Sequence, residues 1–208
     1  MMTVKGFQVG AVGTNCYLAG SSETKESLII DPGDEASVII NYAEKNGLKP
    51  AAVLLTHGHF DHCMAAAELA GHYKIPVYAH EDEKEIMKNP AYNCCGMIGK
   101  ELAFTADHYF HGQKYKISIA GFDIDVLLTP GHTPGGVSYY VGSEGILFSG
   151  DTLFCGSVGR TDFPKGSMSQ LVRSIKEQLF PLPDDTKVLP GHDAFTTIGN
   201  EKKYNPFL

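Results

Sequence analysis

The sequence lacks the features that mark exported, membrane-spanning and nucleic-acid-binding proteins. No apolar run is long enough to cross a bilayer, and Met1 to Ala11 do not follow the plan of a secretory signal peptide. The formal net charge is -7, and lysines and arginines form no cluster, so the electrostatic footprint of a nucleic-acid binder is missing. We therefore expect a cytoplasmic protein that acts on a small molecule, without a membrane or nucleic-acid partner.

Cysteines are few and are not spaced as a disulfide framework or a redox site requires. Their number is odd, and no Cys-x-x-Cys pair is present. In a protein without export signals, thiols stay reduced. We therefore expect free thiols, with the adjacent Cys94 and Cys95 in a loop. The full set is Cys16, Cys63, Cys94, Cys95 and Cys155.

The patterns that are present predict an α/β protein with a single domain, residues 1–208. A chain of 208 residues with 43% hydrophobic content can bury a sizeable core. Short apolar or alternating runs predict strands, and amphipathic runs that stop near Gly, Asn or Pro predict helices. The predicted strands are 3–9, 15–19, 27–30, 51–55, 76–79, 115–119, 122–128, 137–141, 146–148 and 187–189, and the predicted helices are 35–46, 63–70, 81–88 and 167–180.

A dense group of metal-binding residue types follows the predicted strand 51–55. His57 and His59 are two apart in an extended segment, so their side chains leave on the same side and can hold one ion together. Asp61 and His62 follow at the start of the next helix. A helix-capping Asp61 beside solvated histidines would explain any one of these residues, but four side chains able to bind a metal within six residues indicate a metal site.

Three later loops repeat one arrangement, in which a strand is followed by glycine and one ligand-type side chain. The turn-rich loop 129–136 exposes His132, which alone could be a capping residue or a ligand. The sequences Ser149-Gly150-Asp151 and Pro190-Gly191-His192 have the same design. Polar loops that leave strands at their carboxyl ends can converge. We therefore expect His132, Asp151 and His192 to meet the first cluster.

These motifs, in this order, resemble those of the metallo-β-lactamase superfamily. Its signature His-x-His-x-Asp-His stands here at His57 to His62, and His132, Asp151 and His192 follow in family order. The resemblance covers essentially the whole chain, including Asp31-Pro32-Gly33. It implies an αββα sandwich, in which two mixed sheets pack face to face with helices outside and the metals lie at one edge.

The resemblance also implies how the ligands are shared between two metal ions. One ion would be held by His57, His59 and His132, a second by Asp61, His62 and His192, and Asp151 would bridge the two. Two divalent ions, two carboxylates and a bridging hydroxide leave a cationic site, which polarises a carbonyl and lowers the pKa of bound water toward about 7. Asp61 is also expected to orient the hydroxide, as a catalytic residue. Zinc is the expected metal, with iron and manganese as alternatives.

The stretch Gly150–Gly166 is similar to single-domain glyoxalase II-type (hydroxyacylglutathione hydrolase-like) proteins. It implies a thioesterase that cleaves a small thioester such as S-lactoylglutathione by attack of metal-bound hydroxide. The segment Gly159–Phe163 is shared with persulfide dioxygenases. The alternative is therefore a non-haem iron oxidoreductase that uses His57, His132 and Asp151. A metal-binding protein without catalysis is a third possibility.

This chain differs from known members of the superfamily in two ways that restrict the expected substrates. Secreted metallo-β-lactamases of the best-known class have cysteine at the position of Asp151, so antibiotic hydrolysis is not expected as the main role. Larger glyoxalase II enzymes bind glutathione partly through a C-terminal helical domain, whereas sixteen residues follow His192 here. The resemblance therefore does not imply recognition of glutathione.

Several further polar residues are expected to lie outside the catalytic set. Arg160 and Asp162 could recognise an anionic substrate, but a pair that braces the loop beside Asp151 is the simpler interpretation. The remaining histidines have no partner motif, and we expect them to be structural or on the surface. They are His72, His80, His108 and His111.

Overall fold

The first of two six-stranded sheets is formed by the N-terminal half of the chain. The computed structural model describes all 208 residues. The strands lie in chain order across the sheet and are β1 (Met2–Val9), β2 (Thr14–Ser21), β3 (Glu26–Ile30), β4 (Lys49–Leu54), β5 (Val77–His80) and β6 (His108–Phe110). The first three strands, close to the predicted ranges 3–9, 15–19 and 27–30, pair antiparallel, and β3 to β6 pair parallel.

The second sheet is formed by the C-terminal half. Its strands and a small hairpin are, in chain order, β7 (Lys114–Ile119), β8 (Phe122–Leu128), β9 (Val137–Val141), β10 (Ile146–Gly150), the hairpin β11 (Leu153–Phe154) and β12 (Ser157–Val158), β13 (Lys187–Pro190) and β14 (Thr196–Thr197). The order across the sheet is β14-β13-β10-β9-β8-β7. Only β10 and β13 are parallel neighbours, so this sheet is mixed like the first.

Helices lie on the outer faces of the two sheets. They are α1 (Ala36–Lys45), α2 (Phe60–Cys63), α3 (Ala66–Tyr73), α4 (Lys84–Lys88), α5 (Met168–Ser174), which continues as a π-helical turn through Leu179, and α6 (Ile198–Tyr204). The first sheet packs against α1, α3 and α4, and the second against α5 and α6. None of the helices combines the length and the apolar character that crossing a membrane would require.

The side-chain alternation of the strands explains this layering. In β4, Ala52 and Leu54 face the core between the sheets, whereas Val53 belongs to the cluster beneath the helices. In β10, Phe148 faces the core between the sheets and Leu147 packs against the second helical layer. Because both faces of each sheet are buried, the four layers form the αββα sandwich that the sequence resemblance implies, which confirms the predicted fold class.

Some predicted elements differ in detail from those observed. The predicted helix 63–70 is two helices, α2 and α3, and α3 continues past Gly71 because the left-handed residue that ends it is Lys74 (φ 56°). The β11–β12 hairpin, the β14 strand and α6 were not predicted. Each of the two strand elements has three residues or fewer per strand, and such short runs depend on pairing with distant segments. Residues 91–106 contain one 3₁₀ turn, Cys95–Ile98.

Candidate metal centre

The seven predicted ligands meet at one edge of the sandwich. They lie in the four segments that follow the carboxyl ends of β4, β8, β10 and β13, with Asp61 and His62 in the short helix α2. Their donor atoms form three overlapping groups within which all atoms lie within 4.8 Å of one another. These groups are His57, His59 and His132; His57, His62 and Asp151; and Asp61, His62 and His192. The structure thus brings together all the residues that the sequence singled out.

The first group is a triangle of imidazole nitrogens. His59 Nδ1 lies 3.1 Å from His57 Nε2 and 2.9 Å from His132 Nε2. Burial, together with the neighbouring histidines, lowers the pKa of His57 well below its usual value and that of His59 to about 3. Burial also lowers the pKa of His132. All three rings are therefore neutral at pH 7, which is the form that binds a metal ion.

The third group, Asp61, His62 and His192, combines imidazoles with a carboxylate. Asp61 Oδ2 lies 3.2 Å from His192 Nε2 and 3.5 Å from His62 Nε2. Burial by itself would raise the pKa of Asp61, but His62 and His192 lower it to about 2. Asp61 is therefore a carboxylate at neutral pH. The hydroxyl of Thr14 donates to the same Oδ2 at 2.9 Å and fixes its position.

Asp151 lies between the first and third groups, which are called the two donor groups below. Its Oδ1 is 3.4 Å from His62 Nε2, and its Oδ2 is 3.6 Å from both His132 Nε2 and His192 Nε2. Burial would raise the pKa of Asp151, but the surrounding histidines lower it well below its usual value. One carboxylate thus faces nitrogens of both donor groups, which is the placement that a bridging ligand requires.

Two buried donor atoms that face the centre have no hydrogen-bond partner within the protein. They are His62 Nε2 and Asp151 Oδ1. Buried polar atoms are almost always satisfied, so two such atoms in one cluster indicate a missing partner. Imidazole and carboxylate donors suit zinc, iron and manganese. The donor set therefore fits a pair of divalent ions.

Contacts behind the ligands orient the rings. His57 Nδ1 lies 3.1 Å from the Thr56 hydroxyl, and His132 Nδ1 lies 2.6 Å from the carbonyl oxygen of Arg160. His62 Nδ1 is 3.0 Å from Asp31 Oδ2, although not aligned as a hydrogen bond. Burial would lower the pKa of His62, but the carboxylates around it, including Asp31, raise it well above its usual value. Such partners fix the ring orientation of a ligating histidine.

Glu83 connects two of the ligand loops and was missed by sequence reasoning. It is fully buried, and its two carboxylate oxygens accept hydrogen bonds from the N–H groups of Gly58 and Gly135, each at 2.7 Å. A Cβ at Gly135 would lie 2.7 Å from the backbone nitrogen of Glu83, so the loop approaches too closely for a side chain. Burial raises the pKa of Glu83 to about 7.

The residues set aside by the sequence analysis lie outside the donor groups. Arg160 donates from Nε and Nη2 to both oxygens of Asp162, at 2.7 Å each, so the pair braces its own loop as expected. The other four histidines have partners elsewhere. His72 lies 3.2 Å from Glu44, and His111 lies 2.8 Å from Glu81. His80 lies 3.1 Å from the carbonyl oxygen of Gly112, and the ring of His108 is tilted against that of Tyr78. All five cysteines are free thiols.

A cavity of about 450 Å³ opens onto the centre. Its lining includes five of the seven candidate ligands, and the remainder comes mainly from apolar side chains. The candidate ligands that face it are His59, Asp61, His132, Asp151 and His192. A small molecule in this cavity would contact both donor groups.

Two curated relatives align with almost the whole chain. The probable metallo-hydrolase YqgX of Bacillus subtilis is 43% identical over 202 residues, which cover 96% of this chain and 94% of the relative. The hydroxyacylglutathione hydrolase GloC of Haemophilus influenzae is 37% identical over 209 residues, which cover 100% and 98%.

Two solved structures have the same fold over nearly their full lengths. The BLEG-1 B3 metallo-beta-lactamase has a TM-score of 0.93 and 40% identity, with 99% of each chain covered. TTHA1623 in a di-iron-bound form has a TM-score of 0.84 and 35% identity, with 98% of this chain and 100% of that chain covered.

The family model for the metallo-beta-lactamase superfamily matches residues 9–192, which include all seven candidate ligands. Together with a His/Asp cluster that implies a dinuclear metal site, this match and the full-length relatives show that the chain belongs to the metallo-beta-lactamase superfamily.

Proposed function

We propose that this metallo-hydrolase cleaves a small thioester, of which S-lactoylglutathione is an example. The observation that carries the proposal is that Asp151 faces both donor groups while they line a single cavity. A carbonyl carbon in that cavity would lie beside two cationic positions at once. The full-length similarity to a hydroxyacylglutathione hydrolase, at 37% identity, supports a thioester as the substrate.

In this proposal the two donor groups hold two divalent ions. His57, His59 and His132 would hold one, Asp61, His62 and His192 would hold the other, and both groups would share Asp151. Bound ions there would supply Lewis-acid polarisation of the carbonyl and a bound water whose pKa is near 7. Zinc is the first choice, and iron or manganese would suit the same donors.

The charge inventory of the chain's own residues favours this reaction. The three histidines of the first group are neutral and supply no charge. Asp151 and Asp61 supply one negative charge each. Two carboxylates cannot neutralise two divalent cations, so the loaded centre stays positive. It would therefore stabilise both the oxyanion of the tetrahedral intermediate and the departing thiolate.

Asp61 has a second role in the proposal. Its side chain is 15% exposed, and the residue lines the cavity, unlike the fully buried His62 beside it. With a pKa of about 2 it stays ionised and can accept a hydrogen bond from the attacking water. We assign it the task of orienting that water toward the carbonyl carbon.

The reaction class can be tested with purified protein loaded separately with zinc, iron and manganese. We expect two ions per chain by elemental analysis and release of free thiol from S-lactoylglutathione without oxygen uptake. Glutathione persulfide with an oxygen electrode tests the dioxygenase alternative, which uses the same ligands. Fast oxygen uptake with no thioester turnover under any metal would overturn the proposed function.

A further inference from the structure

The cavity beside the metal centre carries little charge apart from the candidate ligands. Half of its 16 lining residues are hydrophobic, and only two of the others outside the ligand set, Arg160 and Asp193, are formally charged. These two have opposite signs. The lining outside the ligands therefore offers a substrate no net charge.

Arg160 is already paired. Its Nε and Nη2 donate to the two oxygens of Asp162, and its guanidinium lies 4.0 Å from the centroid of the Phe163 ring. A thioester of glutathione carries two carboxylates and one ammonium group. A binding site specific for such a thioester needs lysine or arginine side chains that are not already paired. The reason is that carboxylates are recognised through charge-assisted hydrogen bonds. Apart from Arg160, no lysine or arginine lines the cavity.

The apolar part of the lining consists of a packed floor and an open rim. Phe60 and Cys94 are buried in one small cluster, against which Ile98 and Phe163 pack. Phe163 also lies against the first donor group, with its ring centroid 5.5 Å from that of His59. The floor is therefore fixed by packing and adjoins the candidate ligands directly.

The rim of the cavity exposes apolar side chains to solvent. Val12, in the turn between β1 and β2, is 50% exposed, and Met97, in the Cys95–Ile98 turn, is 65% exposed. Apolar side chains concentrated around a cleft are typical of ligand sites, and methionine adapts its shape to varied partners. These two residues would be covered by a ligand chain that leaves the centre.

We propose that this surface, formed by Val12, Phe60, Met97, Ile98 and Phe163, binds an uncharged aliphatic arm of the thioester. The chain would then prefer thioesters with an aliphatic arm and a neutral thiol over thioesters of glutathione. This inference rests on the proposed thioesterase function, because it assigns the substrate class of the same site.

Two substrate series test the proposal on the zinc-loaded protein. In one, the acyl group of N-acetylcysteamine thioesters is lengthened from acetyl to octanoyl; in the other, acetyl thioesters of alkanethiols are lengthened over the same range. Complete burial of a methylene would raise kcat/KM by about fourfold, which corresponds to about 0.8 kcal/mol. We expect kcat/KM to rise two- to fourfold per methylene in at least one series, mainly through a lower KM. The series that shows this rise tells whether the acyl group or the thiol is the arm that binds the apolar surface.

A binding measurement separates recognition from turnover. Non-hydrolysable S-alkyl thioethers of N-acetylcysteamine, titrated by calorimetry, should bind more tightly by a similar factor for each added methylene. The variant Met97→Gln exchanges an apolar side chain for a polar one of similar length. In this variant, each added methylene should raise kcat/KM and the binding affinity by a smaller factor than in the parent. Met168→Gln is the matched control, because Met168 is 42% exposed but does not line the cavity.

The outcomes distinguish the two levels of the proposal. If no thioester of any kind is cleaved, the proposed function itself fails. If thioesters are cleaved, but neither kcat/KM in the two series nor the affinity for the thioethers depends on chain length, the proposed binding of an apolar arm is wrong. The proposed thioesterase function then still stands. A kcat/KM for S-lactoylglutathione above that for every neutral thioester, or an equal effect of Met97→Gln and Met168→Gln, would also overturn it.

Discussion

At the scale of single residues, Asp151 makes contacts that no other member of the centre makes. One of its oxygens faces His62, and the other faces His132 and His192. Its pKa is held well below the usual value by these histidines, against the effect of burial, so the charge is present at any working pH. A charged carboxylate between two cations offsets their mutual repulsion, which no ligand of a single ion can do.

The first prediction concerns this charge. Asp151→Asn keeps the size of the side chain and removes the charge, so two ions about 3.5 to 4 Å apart would repel each other more strongly. We expect the metal content to fall from two ions per chain toward one, together with a loss of thioester turnover of about a hundredfold or more. Elemental analysis and a thiol-release assay on the same samples measure both quantities.

The control for this prediction is His72→Ala. His72 is exposed, lies beside Glu44 and is remote from the donor groups, so its loss should leave metal content and turnover unchanged. Circular dichroism on both variants excludes unfolding as the cause. If Asp151→Asn remains folded, holds two ions and turns over normally, then Asp151 does not bridge the ions.

The sequence predicted which residues meet at the centre, but not the ring nitrogen that each histidine turns toward it. His57 and His132 turn Nε2 toward the centre, whereas His59 turns Nδ1. The Nδ1 of His57 is engaged by the adjacent Thr56, and that of His132 by the carbonyl of Arg160, 28 residues away. A partner so distant along the chain is known only once the fold is known.

At the scale of elements, the turn before α4 holds two ligand loops together. Glu83 accepts hydrogen bonds from Gly58, between two ligands, and from Gly135, three residues after His132. Glu83 stands in the acidic run Glu81-Asp82-Glu83, which is typical of a solvated helix start. The sequence therefore gave no sign of its burial, because that depends on two loops that are far apart along the chain.

The second prediction tests the close approach at this contact. In Gly135→Ala, the new Cβ would meet backbone atoms of Asp82 and Glu83 at 2.9 Å and 2.7 Å, and backbone cannot move aside as easily as a side-chain end. We expect the free energy of unfolding to fall by about 1 to 3 kcal/mol. The loop that carries His132 should shift as well, which lowers metal affinity. Urea unfolding and metal titration measure the two effects.

Gly71→Ala is the matched control for the second prediction. Gly71 lies within α3, and no atom lies within 4 Å of the Cβ that alanine would add. Its replacement should leave metal affinity unchanged and raise the free energy of unfolding by up to about 1 kcal/mol, because alanine favours the helix. Equal stability changes in the two variants would contradict the close packing described for Gly135.

The third prediction concerns the pH dependence that Glu83 introduces. Folding raises its pKa from 4.5 to about 7, chiefly through burial. The folded state therefore binds the proton more tightly than the unfolded state, and the contribution of Glu83 to stability is greatest below pH 4.5. It decreases as the pH rises and becomes constant above 7. The total change is about 3 kcal/mol.

The variant Glu83→Gln isolates this contribution because it cannot ionise. We expect the difference in unfolding free energy, metal-free parent minus variant, to fall steeply as the pH rises from 5 to 7 and to fall little further between 7 and 8. Urea unfolding of both metal-free proteins at each pH gives the difference directly. A difference that stays constant from pH 5 to 8 would mean that Glu83 is ionised throughout.

At the scale of the whole molecule, the metal centre lies where the two sheets meet. The loop of His57 to His62 follows β4 of the first sheet, whereas His132, Asp151 and His192 follow β8, β10 and β13 of the second. Ions held by both sets join the two sheets at one edge of the sandwich. Since only the folded chain assembles this donor set, metal binding and folding are coupled.

The fourth prediction follows from this coupling. Removal of both ions with a chelator should lower the thermal unfolding midpoint, because an ion present at a thousand times its dissociation constant stabilises the folded state by about 4 kcal/mol. Scanning calorimetry before and after chelation measures the change. Addition of zinc should restore the midpoint, and magnesium at the same ionic strength should not. An unchanged midpoint in protein shown to be metal-free would contradict the coupling.

The turns that form the rim of the cavity are separate from the loops that supply ligands. Val12 lies in the β1–β2 turn and Met97 in the Cys95–Ile98 turn, and neither turn contains a candidate ligand. Substitutions or insertions in these two turns can therefore alter which molecules enter without disturbing the ions. A scaffold divided in this way can evolve new specificities in small steps, since each intermediate keeps a working reaction centre.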